Sequence, residues 1–190
     1  MSLYDHSKIT AALAVAIYLY QQHTDSMTID AIKDYDSKKF LLISGDFYRI
    51  QNFIFSDSGE AGKNRAKILR GRSFAVSLFS ELAADMLCRE IGIPSSSLLL
   101  NAAGKFTVIA PNTEAAKKAI DAVETCVNDW LMKVSFGENS IGMTCLPASP
   151  EDFVKGQFVE IWDRLIKERR TCSTYPQSAK ACGNDGYKIN

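Results

Sequence analysis

The stretch Phe40 to Phe55, FLLISGDFYRIQNFIF, constrains the fold more than any other part of the chain. Its apolar start, Phe40 to Ser44, reads as a buried strand that stops at Gly45-Asp46, and the residues beyond read as helical. Such a strand delivers a carboxylate to its exposed end, which makes Asp46 the first candidate for chemistry. An Asp in that place has two readings, a turn or helix-capping residue and a metal ligand, and the residue alone does not choose between them.

From Lys39 onward the pattern is coherent. The strand leads into a helical turn, then a polar, glycine-containing loop over 56–67, then a long helix starting near Arg70 to Ser73. Val76, Phe79, Leu82, Met86 and Leu87 recur along that helix at helical spacing and predict one apolar stripe, which Gly92 and Pro94 end. Ser96 to Asn101 and Lys105 to Ala110 predict two strands joined by a hairpin at Ala102-Ala103-Gly104. A second helix starts at Pro111 to Glu114, buries Ile120, Val123, Val127, Trp130 and Val134, and closes at Gly137, before a fourth strand over Ser140 to Leu146. The order strand, helix, strand, strand, helix, strand over 39–147 predicts an α+β fold of the ferredoxin-like βαββαβ plan. In that plan an antiparallel sheet carries helices on one face.

The flanks read differently. Residues 1–22 are a short cap and an Ala-rich helix, apolar almost all round, which needs neighbours on several sides. Its run from Ala11 to Tyr20 falls well short of the ~20 residues needed to cross a bilayer, so it is read as a buried helix and no membrane is expected as a partner. Residues 23–38 are polar without a period and read as a linker. A last helical stretch, 148–170, begins at Ser149-Pro150-Glu151-Asp152 with Ser149 as its cap, and carries Phe158, Ile161, Trp162 and Leu165 on one face. Residues 171–190 turn polar and are expected to be poorly ordered.

Charge and cysteines narrow the setting. The 22 Lys and Arg balance the 22 Asp and Glu, so any anion site is local and not the product of a global field. The 5 cysteines are scattered, the first three (Cys88, Cys126, Cys145) lie in apolar segments as small hydrophobes, and no cleavable signal is apparent. This suits a reducing cytoplasm and not a disulfide framework.

The ferredoxin-like plan serves RNA-binding, metal-binding and catalytic palm domains alike. A two-metal palm needs carboxylates from the first strand and from the hairpin, and Asn101-Ala102-Ala103-Gly104-Lys105 supplies none, so catalysis by this domain alone is not expected. Lys63, Arg65, Lys67, Arg70 and Arg72 cluster before the long helix and read either as a phosphate or RNA-backbone contact or as a solvated basic loop. Within them Arg70-Gly71-Arg72-Ser73 is the sharper element, with Gly71 allowing close approach and Ser73 able to cap. Asp5-His6 reads as a capping or hydrogen-bonding pair, since His23 is the one other histidine and a metal needs more ligands. Cys172 and Cys182 lack the paired CxxC spacing of a zinc ribbon, so zinc is not expected. The sheet offers few aromatics for stacking RNA bases, and a free-standing RNA-binding sheet is the weakest of these readings.

SLYDHSK at 2–8, ISGDFYRIQNFIF at 43–55, LRGRSF at 69–74, Ala110 to Thr113 after the hairpin, and Gly156-Gln157-Phe158 with Trp162 together resemble the large subunit of type III CRISPR effector complexes, especially the Csm type. The resemblance covers residues 2 to about 166. It implies that 1–22 is the terminal helix of a nuclease-like HD domain, with Asp5 and His6 as a motif remnant. It implies that 39–147 is the first palm and that 148–170 leads into a remnant of a cysteine module, where Cys182-Gly183 is half a zinc motif and Ala179 stands where a Cys is expected. The family makes cyclic oligoadenylates from ATP and cuts single-stranded DNA, but the GGDD hairpin and the complete HD site are absent from this chain. The implied role is a noncatalytic, nucleotide-binding palm in antiviral defence, sharing a composite site for ATP with Mg with a second palm. Its implied contacts are Gly45, Asp46, Tyr48, Arg70, Arg72 and Ser73. The implied partners are other effector subunits and, indirectly, crRNA and target RNA. The alternative is a structural docking module that binds no nucleotide.

Overall fold

Alternation along the first strand builds the centre of the molecule. The computed structural model describes residues 2–55, 64–154 and 156–173, the side chains of 169–173 excepted. The elements in order are α1 (Leu3–His23), α2 (Ile29–Lys33), β1 (Phe40–Tyr48), α3 (Ile50–Phe55), α4 (Arg65–Ile91), β2 (Leu98–Ala102), β3 (Lys105–Pro111), α5 (Glu114–Ser135), β4 (Ser140–Ala148) and α6 (Phe158–Ser173). The four strands pair antiparallel in the order β2-β3-β1-β4, with β1 and β3 central. This is the ferredoxin-like arrangement that the order of apolar segments predicts.

Leu41, Ile43 and Phe47 point to one face, where they join Phe106, Val108, Ile141 and Met143 from the neighbouring strands beneath α4 and α5. Phe40 and Leu42 point the other way and pack with Ile109, Leu146, Ala12 and Ala16 of α1, and Ile161 and Leu165 of α6. Both faces are therefore covered at the start of β1, one by α4 and α5 and the other by α1 and α6. Strand pairs that bury a face on each side give β1 its near-continuous burial.

Several boundaries differ from the sequence reading. β1 does not stop at Gly45-Asp46 but runs on to Tyr48, because Gly45 lies in register with Phe106, whose ring fills the space a Cβ would need. The chain then turns at Arg49 in the left-handed region, φ 62°, and enters α3. α4 starts at Arg65, so Arg70 to Ser73 is inside the helix and not at its entrance. Its buried stripe is Val76, Ser80, Ala83, Ala84, Leu87 and Cys88, whereas Leu82 and Met86 are exposed; small residues let this helix sit close on the sheet. On α5 the expected Trp130 and Val134 are half exposed, and Ala116, Ala119 and Leu131 share the buried face with Ile120 and Val123. Ser149 heads a single 3-10 turn over Glu151–Phe153, with its N–H and hydroxyl donating to Asp152, and α6 begins only at Phe158. Cys126 is exposed, unlike the buried Cys88.

The N-terminal flank also departs from expectation. Of the apolar run in α1 only Ala12 and Ala16 are fully buried, Leu13, Val15, Ile17 and Leu19 pack partly buried against the core, and Tyr18 is exposed, so the helix is not buried all round. The segment read as a linker carries α2. Lys39, 1% exposed, donates from Nζ to the carbonyls of Ala31, Ile32 and Asp34, and Gln21 donates to the carbonyl of Ala31. An ammonium on the carbonyl end of a short helix satisfies groups left unpaired by the ladder and fixes α1 and α2 against the sheet. Among the described residues no helix is long and apolar enough to cross a membrane. Lys63, Ala179, Cys182, Gly183 and the expected disorder of 174–190 lie outside the described residues.

Candidate functional site

The face of β1 that meets α1 and α6 changes character along its length. Phe40 and Leu42 are apolar, but Ser44, Asp46 and Tyr48, which follow on the same face, are polar. Across the sheet Ser44 is in register with Thr107 and Thr144, and Asp46 with Lys105 and Gly142. The far half of this face is thus a polar strip of Ser44, Asp46, Tyr48, Lys105, Thr107 and Thr144.

The strip is graded from buried to open. Ser44 and Thr107 are buried, and the Ser44 hydroxyl donates to the carbonyl of Phe106 at 3.3 Å. Lys105 Nζ stands 3.4 Å from Asp46 Oδ2, with the Asp46 side chain 13% exposed and that of Lys105 48%. The carboxylate is sunk into the sheet and its ammonium partner faces solvent. Such a half-exposed pair adds about 0–1 kcal/mol to stability, so its main effect is to compensate the Asp46 charge. The Tyr48 ring lies over Gly142, where a Cβ would come within 2.5 Å of ring carbon Cε2 and 2.6 Å of the hydroxyl oxygen. Gly142 is therefore required by the ring, and any side chain there displaces it.

The structure does not gather the six predicted contact residues into one place. Asp46 and Tyr48 share the polar strip. Gly45 points to the opposite face, where a Cβ would stand 2.2 Å from the Phe106 ring, so the missing side chain makes room for that ring. Arg70, Arg72 and Ser73 lie on α4, which covers that opposite face. All stand near the same end of the sheet, since a Cβ on Gly104 in the β2–β3 turn would meet Ile50 Cδ1 at 2.5 Å and Val76 Cγ1 at 3.0 Å. Ser73 does not cap α4: its carbonyl accepts from the Ser77 hydroxyl within the helix, and Asn64 holds the cap position without a side-chain bond. The Arg72 guanidinium donates to the carbonyl of Ile54 at 3.3 Å, near the carbonyl end of α3, while Arg70 is exposed.

Asp5 and His6 serve the start of α1. The Ser2 hydroxyl accepts from the Asp5 amide at 3.1 Å and donates to the Asp5 carboxylate at 2.7 Å, and the His6 amide donates to the Ser2 carbonyl at 3.1 Å. This is a capping arrangement. Among the described residues no group of three or more His, Cys, Asp or Glu is placed to hold a metal ion. Two open clefts, of about 310 Å³ and 360 Å³, lie elsewhere: one among Leu19, His23, Glu90 and Thr113, the other among Tyr4, Lys8, Ser95 and Ser96.

Lys105, Gly142 and Thr144 were missed by sequence reasoning because they join Asp46 only through strand register. Glu124 and Asn128 of α5 were missed as well. Glu124 accepts from the Met143 amide at 2.7 Å, and Asn128 both donates to the Ile141 carbonyl at 2.9 Å and accepts from its amide at 2.8 Å. Burial pushes the Glu124 carboxyl above its ordinary value, opposed by the Met143 hydrogen bond. Burial likewise raises the Cys88 thiol to about 11, which keeps it a protonated, inert core residue.

Residues 39–179 match the family described as Csm1 subunit domain B. The chain is 32% identical over 161 residues to the CRISPR system single-strand-specific deoxyribonuclease Cas10/Csm1 (subtype III-A) of Mycobacterium tuberculosis, covering 82% of this chain and 20% of that protein. It superposes on Csm1 in an apo Csm1–Csm4 cassette with a TM-score of 0.78 at 28% identity, covering 92% of this chain and 23% of that one. A Csm1–Csm4 cassette in complex with one ATP gives a TM-score of 0.74 at 29% identity, over 88% of this chain and 22% of that one. The chain thus spans about a fifth of the curated relative's length.

Proposed function

Because the chain belongs to the Csm1 family, the large subunit of type III CRISPR systems, we propose that residues 39–147 are a nucleotide-binding, noncatalytic palm. In this reading it completes, with a second palm, a composite ATP site for cyclic oligoadenylate synthesis. The observation that carries the proposal is the in-register pairing of Asp46 with Lys105 on a polar strip that opens to solvent at one end of an otherwise apolar sheet face. A carboxylate already compensated by an ammonium is a poor start for a two-metal centre, and the β2–β3 turn adds no second acid. The open strip instead offers a cation at Lys105, an acceptor at Asp46 and an aromatic ring at Tyr48, the groups that hold phosphate, ribose hydroxyl and base.

Magnesium does not fit this chain's own residues. It asks for a near-octahedral set of oxygens, and Asp46 beside Lys105 supplies one compensated carboxylate. In this proposal the ion would be held by nucleotide phosphates and by acids of the second palm. The relatives solved as Csm1–Csm4 cassettes support a Csm4-type subunit as a partner, with crRNA and target RNA reached through the assembled complex. In the same scheme 1–22 is the terminal helix of an HD-like domain, 148–170 the helical extension and 171–190 a remnant of a cysteine module.

ATP titration by calorimetry, on this chain alone and with a second-palm chain, tests the proposal. Binding that needs the partner and is lost in Asp46→Ala and Lys105→Ala supports it. Unchanged binding in both variants removes the strip from the site.

A second reading is favoured by α4. Phe74, Leu78, Leu82 and Met86 recur every four residues on its exposed side, and Arg65, Lys67 and Arg70 are exposed at its start. These suit a docking module for effector subunits or crRNA that binds no nucleotide. Loss of complex assembly in Arg70→Ala/Arg72→Ala with ATP binding intact would favour that role for the helix.

A further inference from the structure

The outer edge of β4 is closed by side chains from another element. Among the described residues β4 pairs with β1 on one side only, so every second residue turns its backbone amide and carbonyl away from the sheet. Ile141 and Met143 are two of these. Asn128 takes both the amide and the carbonyl of Ile141, in the manner of a neighbouring strand, and Glu124 takes the amide of Met143. The pairing of β1 with β4 shows no register shift, so Cys145 and Pro147 continue the same outward series, and at Pro147 there is no N–H to offer. Of the four outward positions, Ile141, Met143, Cys145 and Pro147, three thereby offer no open N–H to a passing strand, and at Ile141 the carbonyl is taken as well.

The two side chains of this closure, Glu124 as an acceptor and Asn128 as both donor and acceptor, lie four residues apart on α5, on one side of the helix and one turn from each other. Glu124 is retained there although burial disfavours its charge, and an apolar residue would pack at less cost. The opposite edge is handled by other means. β2 is five residues long, follows a 3-10 turn, and shifts register between Leu98 and Leu100. Shortness and irregularity are common ways to blunt an edge.

We propose that Asn128, Glu124 and Pro147 close the outer edge of β4 against strand addition, so that this sheet is not extended by another chain and partners meet it through side-chain surfaces. The closure concerns the edge alone and does not depend on nucleotide binding at the strip. It constrains how any palm or effector subunit docks: across a face or a helix, not by continuing the sheet.

Amide hydrogen exchange and sedimentation of the full chain test this. In the wild-type chain the Ile141 and Met143 amides should be protected to the same degree at every concentration, with no concentration dependence of sedimentation. In Asn128→Ala/Glu124→Ala exchange at those two amides should rise by on the order of tenfold. Sedimentation of the variant should then show association that grows with concentration and restores the protection. Should that variant fail to fold, Asn128→Ala/Pro147→Ala, which frees Ile141 and adds a donor at position 147, is read in the same way. Wild-type self-association through β4, or a folded variant that exposes its amides yet stays monomeric, would overturn the proposal.

Discussion

The two faces of β1 make opposite uses of one strand. Toward α4 and α5 its residues Leu41, Ile43, Gly45 and Phe47 are apolar or absent as side chains from end to end. Toward α1 and α6 they pass from Phe40 and Leu42 to Ser44, Asp46 and Tyr48. A face that must only pack keeps one chemistry along its length, whereas a face that changes halfway has somewhere else to be. The change in this sheet coincides with the ion pair and with the aromatic ring laid on Gly142. Polarity is left open along the strip and shut away along the outer edge of β4.

Substitutions on the two faces should therefore differ in kind. The largest effect is expected from Phe106→Ala, which empties a fully buried ring position on the helix face and should cost about 3–5 kcal/mol in denaturant unfolding. Its neighbour in sequence, Lys105→Ala, should cost less than about 1 kcal/mol. Equal losses would make the strip structural and break the contrast. Next, Gly45→Ala drives a Cβ into the Phe106 ring and should cost roughly 1–3 kcal/mol. Gly142→Ala meets the Tyr48 ring, which is only partly buried, so thermal unfolding should change less and the Tyr48 fluorescence environment more.

A smaller effect concerns pH. The Glu124 carboxyl has its folded pKa above the ordinary 4.5. Its contribution is fully present below that ordinary value and is lost as pH rises through the raised folded value. Glu124→Gln removes the charge and keeps an acceptor for the Met143 amide, so relative to wild type it should gain stability as pH climbs above 4.5, and the two should converge on acidification. Paired unfolding curves across that range check the sign. A wild-type chain that gains on the variant as pH rises would mean that the hydrogen bond outweighs burial. The smallest effect is Asp46→Ala on stability, within about 1 kcal/mol, because its partner Lys105 remains half exposed and hydrated.

Local signals in the sequence were read well and non-local ones were not. The start of α5 within Pro111 to Glu114, where Thr113 accepts from the Ala116 amide, and Gly92 in the left-handed region ending α4 are short-range devices whose chemistry is written in adjacent residues. The element order followed from apolar periodicity for the same reason. Gly45 looked like a strand terminator because a glycine within a strand is usually a break; it is tolerated only because Phe106, on another strand, occupies its missing side chain. Of the expected α4 stripe Val76 and Leu87 are buried and Phe79 packs against the core, but Leu82 and Met86 are exposed, because large residues were sought where Ser80, Ala83 and Ala84 allow close approach. At the candidate site, Asp46 was legible from its place after an apolar run, and Tyr48 with it. Lys105 was visible as a hairpin residue, but its tie to Asp46 exists only once β1 and β3 are in register. Arg70 to Ser73 was assigned to the same site because Gly and Ser suggested a turn, and the helix that runs through them carries them to the other face.

Backbone chemical-shift mapping of an ATP titration, with the second palm present, decides whether the strip or α4 meets the nucleotide. The account predicts shifts at Asp46, Tyr48, Lys105 and Gly142 with Arg70 to Ser73 unmoved. Shifts confined to Arg70 through Phe74, with the strip silent, would contradict it.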